Sequence, residues 1–107
     1  NTSKNIWSEG KISLDPSAVF TGKTVIGSGT VIEQYAQVSG LVSIGKNCQI
    51  KKGAIVSNSV ILDNTIIGEG VRIENTVAGK KCRIEPHSTI NNGAIGDSTV
   101  ITRYSKL

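Results

Sequence analysis

At 107 residues the chain has room for one domain and none for a second hydrophobic core. No apolar run approaches a membrane span or the central segment of a signal peptide. The net charge of +4 invites a nucleic-acid reading, but the position of charges matters more than their sum, and the aromatic interleaving that base stacking requires is absent. A start at Asn1 rather than Met is what an excised or processed fragment would show.

Residues 1–13 have no regular beat and read as a cap segment, with Trp7 suited to covering the open end of a stack. From Leu14 onward a large aliphatic or Phe recurs about every six residues, through Phe20, Ile32, Ile50, Ile67 and Ile84 to Ile101. Four residues after each comes a smaller side chain, a series that includes Ala18, Thr24, Cys48, Val60, Val77, Cys82, Ala94 and Ser105. A hexapeptide period predicts a parallel β-helix over residues 14–107. Short strands alternate inward and outward, and the chain turns a corner every six residues. Three strands close a triangular turn of 18 residues, or 17 where a corner is one residue short. Phe20, Val38, Val56, Ile73 and Ile90 then stack on one face, and about five turns result, on the order of 24 Å tall.

Corners carry their own signals. Asp15-Pro16 and Glu85-Pro86 fit positions where Pro presets φ and no donor is needed. Gly22, Gly40, Asn58, Asn75 and Asn92 fall at one corner and predict positive φ there, with the Asn side chains bonding up the column. Another corner stacks Lys46, Asp63, Lys80 and Asp97 as a ladder of alternating sign, while Glu33, Lys51 and Glu85 share a third. Cys48 and Cys82 lie two turns apart with Thr65 between them, roughly 9 to 10 Å at the strand spacing, which is beyond disulfide reach. Two buried free thiols in a reducing, cytoplasmic compartment are expected.

Outward positions include Val19, Val25, Val31, Ile55, Ile66 and Val100, interrupted by Gln37, Gln49, Arg72 and Arg83. Val19, Val31, Ile55 and Ile66 are the candidate interface, facing another copy or a companion domain. Catalytic signals are sparse. His87 is the only histidine, which excludes a three-histidine metal site within the chain. It is also the only candidate acyl-transfer base, on a corner column with Tyr35 and Tyr104. Gly27-Ser28-Gly29 and Gly68-Glu69-Gly70 open no helix and read as corner glycines, not phosphate cradles. No cofactor and no metal are expected.

The hexads, with runs such as Ile67-Gly68-Glu69-Gly70-Val71-Arg72-Ile73 and Val60-Ile61-Leu62-Asp63-Asn64-Thr65-Ile66, resemble the left-handed β-helix of the hexapeptide-repeat superfamily. The left hand is implied by the resemblance, since the usual crossover rule gives the opposite one. Asp15-Pro16-Ser17-Ala18-Val19 leading into mixed 18- and 17-residue turns resembles more narrowly the C-terminal domain of sugar-1-phosphate nucleotidyltransferases, such as ADP-glucose pyrophosphorylase and mannose-1-phosphate guanylyltransferase. That resemblance implies an assembly or regulatory domain beside an N-terminal catalytic domain whose Gly-rich loop and Arg have no counterpart here. A trimeric acyl-CoA-dependent acyltransferase using His87, and a non-enzymatic scaffold subunit, are the alternatives.

Overall fold

A computed structural model describes residues 6–107, so residues 1–5 of the expected cap lie outside the described part. Every regular element is a short strand. In chain order they are β1 (Ile6–Ser8), β2 (Ser13–Leu14), β3 (Val19–Ile26), β4 (Val31–Ile32), β5 (Gln37–Ile44), β6 (Gln49–Ile50), β7 (Ile55–Ser57) and β8 (Val60–Ile61). There follow β9 (Ile66–Ile67), β10 (Arg72–Glu74), β11 (Val77–Ala78), β12 (Arg83–Ile84), β13 (Thr89–Asn91), β14 (Ala94–Ile95) and β15 (Val100–Ile101). No helix among the described residues is long and apolar enough to cross a membrane.

All pairings are parallel, and they build three faces. The first stacks the leading halves of β3 and β5 with β7, β10 and β13, joining Phe20, Val38, Val56, Ile73 and Ile90 in register. The second stacks β1, the trailing halves of β3 and β5, then β8, β11 and β14. The third runs β2, β4, β6, β9, β12 and β15, with Leu14, Ile32, Ile50, Ile67, Ile84 and Ile101 aligned. The six-residue beat therefore encodes the faces as the sequence predicts. Ile26, Ile44, Ile50, Ile61, Ile67, Ile73 and Ile84 are at most 1% exposed, each contributing roughly 1.5–3 kcal/mol of apolar burial.

Small inward residues satisfy the backbone near the corners. Thr30 donates its hydroxyl to the Gly45 carbonyl (2.7 Å) and accepts the Cys48 N–H (3.1 Å). Thr65 repeats this with Gly79 (2.6 Å) and Cys82 (3.2 Å). Cys48 and Cys82 are free, buried, and donate to the Leu62 and Gly96 carbonyls at 3.1 Å. At the first corner Gly22, Gly40, Asn58, Asn75 and Asn92 all have positive φ. The side-chain bond of that column is the one Asn58 Oδ1 accepts from the Leu41 N–H (3.1 Å), and it reaches the main chain of the turn below rather than another Asn.

Three placements differ from the sequence reading. Val60, Val77 and Ala94 point outward, in register with Ser43. The inward slot is taken by Ser59 and Thr76, both buried. The shortened turns lose their residue before that slot, so counting four from Val56 overshoots it by one. Trp7 does not cover the end of the stack, because β1 pairs with β3 and sets Trp7 beside Val25 on the outer surface; Ile6 and Ile12 pack against the core instead. In the Lys46–Asp97 column the carboxylates bind main chain, Asp63 accepting Lys46 N–H and Asp97 accepting Lys80 N–H, each at 2.8 Å. The expected pair between Lys51 and Glu33 is present at 3.5 Å.

Candidate functional site

The outward column of the second face is Trp7, Val25, Ser43, Val60, Val77 and Ala94, one residue per turn. None carries a charge. Trp7 is 76% exposed, Val25 50% and Val77 46%. Leu41 stands at the edge of this face at 70% exposure. It occupies the corner position that the turns above it lack, so it forms the lip of a ledge. Beneath that lip Val25, Val42 and Val60 line a hollow of about 240 Å³. A second hollow, about 340 Å³, lies between Trp7 and Val25.

The four residues expected to form an interface are divided between two faces. Val19 and Ile55 lie on the first, with Gln37 between them and Arg72 following. Val31 and Ile66 lie on the third, with Gln49 between them and Arg83 following. Val19 is exposed, the other three half-buried. Ile66 lines a hollow of about 440 Å³, whose rim mixes Glu33, Lys51, Glu69, Arg83, Glu85 and Arg103. Charges of both signs break up the apolar surface on these faces, whereas the second face has an unbroken uncharged column. A signal for it was present in the sequence: Ile6-Trp7-Ser8 lies 18 residues before Thr24-Val25-Ile26, the length of a full turn.

His87 sits at a corner with φ of 64°. Its ring lies over Gly70 and stacks on Tyr104, with centroids 5.4 Å apart and planes at 20°. No carboxylate orients the imidazole, so the triad-like support of an activated base is missing. Among the described residues no group of His, Cys, Asp and Glu could hold a metal ion. Burial raises the Cys48 thiol above its ordinary value of 9.0, with the nearby Asp63 charge adding to the effect. Such a thiol is protonated and unreactive at neutral pH.

The family model of the EIF2B subunit epsilon LbH domain matches residues 3–107. The bifunctional protein GlmU of Thermodesulfovibrio yellowstonii is 38% identical over 72 residues, covering 65% of this chain and 16% of that protein. GlmU of Rippkaea orientalis is 31% identical over 110 residues, covering 100% of this chain and 24% of that protein. The chain thus spans at most a quarter of the length of these relatives. Among solved structures, the N-terminal domain of CcmM in complex with CcmN matches with a TM-score of 0.57 at 16% identity, covering 95% of each chain. That likeness is one of fold.

Proposed function

The chain belongs to the family of the EIF2B subunit epsilon LbH domain, and from that premise we propose that it is the assembly module of a larger subunit. It is a hexapeptide-repeat β-helix related to a region of GlmU, and its sequence contains no nucleotidyl-transfer site. Nucleotidyl transfer, in a parent protein that performs it, belongs to a separate domain. The β-helix supplies a rigid surface against which a companion domain or subunit packs. A cytoplasmic setting suits its two reduced thiols.

One observation carries this reading: an outer column of six residues without a charge, flanked by the exposed Leu41. Solvated sheet faces ordinarily carry charged side chains, and a strip of apolar side chains interrupted only by Ser43, with Lys23 beside Leu41 at its edge, marks a contact surface. The test is Leu41→Lys and Val77→Lys in the full-length subunit. Both side chains are exposed, so the β-type circular dichroism spectrum and melting temperature should stay within a few degrees of the parent. Co-purification with companion subunits should drop at least tenfold. Undiminished co-purification of both variants sinks the proposal. The acyltransferase alternative makes a separate prediction, that the isolated chain binds CoA and that His87→Ala abolishes acyl transfer.

A further inference from the structure

We infer that the second face pairs with the same face of a second copy of this chain, laid antiparallel across a two-fold axis that lies between the Ser43 and Val60 levels. This rests on the assembly reading and names its occupant.

The first support is charge. Lys46, Asp63, Lys80 and Asp97 rise along one edge of the face with alternating sign. The only ion pair among the described residues is Lys51–Glu33, elsewhere on the molecule. The four edge charges therefore have no salt-bridge partner among the described residues, and each Asp uses only Oδ1 on the backbone. A two-fold in the plane of the face and across the stack brings this edge against itself with its order reversed. Lys46 then faces the partner's Asp63, and Asp63 faces the partner's Lys46. Lys80 falls opposite the partner's Ser28, and Asp97 opposite the partner's Gly10, which Glu9 and Lys11 flank with opposite charges. A parallel copy would set this edge against the opposite one instead, placing Lys46 opposite the partner's Leu41 and leaving the charges unpaired.

Shape supports the same arrangement. The lower turns carry an extra corner residue, Lys23 and Leu41, which the upper turns lack. Reversal sets the wide part of one copy against the narrow part of the other, and Leu41 meets the level where Asn58 is followed directly by buried Ser59. Along the central column Trp7 covers the partner's Ala94, Val25 meets the partner's Val77, and Ser43 meets the partner's Val60. The largest exposed side chain thus lies on the smallest. In parallel alignment Trp7 would collide with its own copy. The molecule measures 33 × 21 × 19 Å, so a full face approaches the roughly 800 Å² per partner of a standard interface.

Cross-linking reads this pairing directly. Val25→Cys and Val77→Cys are each exposed, while Cys48 and Cys82 are buried and silent. Each variant is prepared separately and treated with a short bis-maleimide, alone and as an equal mixture. The expected product is a 25–77 linked dimer in the mixture only. Lys46→Glu should raise the dimer dissociation constant at least tenfold by sedimentation, and Lys80→Glu should change it less than threefold. A 25–25 link, or a monomer at all concentrations, overturns the inference. So does an assembly that forms without any 25–77 link, as it would if a foreign sheet or another face were the contact. If the chain is monomeric while Leu41→Lys still strips the full-length subunit of its companions, the second copy fails and the assembly reading stands.

Discussion

Asp15 shows how a single side chain sets a corner. Its carboxylate accepts both the hydroxyl and the backbone N–H of Ser17, at 2.6 and 2.9 Å, and these bonds hold its titration below the ordinary carboxylate value. A lowered folded value means that the contribution to stability is present above the unfolded value and is lost as pH falls through the folded one. Ser17→Ala should therefore move the Asp15 midpoint upward in an NMR titration, and an unchanged midpoint would assign the shift to something other than the Ser17 hydroxyl. Cys48 runs the other way. Burial raises its thiol, so its contribution is complete below the unfolded value of 9.0 and is lost as pH rises beyond it. Cys48→Ser should flatten the alkaline limb of the stability curve while keeping a donor for the Leu62 carbonyl. Neither native thiol should react with a thiol reagent until the chain unfolds.

Elements here are held at fixed spacing by corners, and two glycines separate the reasons a corner needs one. Gly53 has φ of 69°, yet nothing lies within 4 Å of where its Cβ would stand. Gly68 does not sit at positive φ, but a Cβ there would come within 2.6 Å of the Ile84 carbonyl oxygen on the next turn. Gly53→Ala should cost about 1–2 kcal/mol of left-handed strain. Gly68→Ala must push two turns apart and should cost more, about 3 kcal/mol or above, as denaturant midpoints would show. An equal cost would mean that turn spacing is not what Gly68 protects. The strands themselves were legible, because a large aliphatic every six residues has only one way to stay buried around a triangular turn. The position of the shortened corner was not. The interval from Val56 to Ile61 says that one residue is missing without saying which side of the inward slot lost it. That ambiguity sent Val60, Val77 and Ala94 to the core, and with them went the uncharged face. Trp7 was hidden for a different reason: β1 lacks the large-then-small beat, and only its 18-residue distance from Val25 gives it away.

For the whole molecule, what matters is that inward and outward positions stay in phase through changes of turn length. The two wide turns and the narrower ones above them share every face because the length difference is confined to one corner. A deletion can therefore be harmless or ruinous according to where it falls. Removing Leu41 would leave Gly40 followed directly by Val42, which is the pattern Asn58-Ser59 already uses, and Val42 and Ile44 would remain inward. The loss is the bond from the Leu41 N–H to Asn58 (3.1 Å), about 1 kcal/mol, or roughly 4–8 °C in melting temperature for a domain of this size. Removing Ser43, two residues on, keeps the same chain length but shifts the strand by one, and a one-residue slip exchanges the two sides of a strand. Ile44, now 1% exposed, would face solvent. The penalty should exceed about 3 kcal/mol and leave the chain aggregated or largely unfolded at 37 °C. Thermal melts of the two deletions, equal in length and two residues apart, decide whether phase or length governs this fold. Comparable stability in both would show that the corners, not the strand phase, absorb the change. The Leu41 deletion should in addition weaken self-association, because it removes the lip of the ledge while leaving the face beneath it intact.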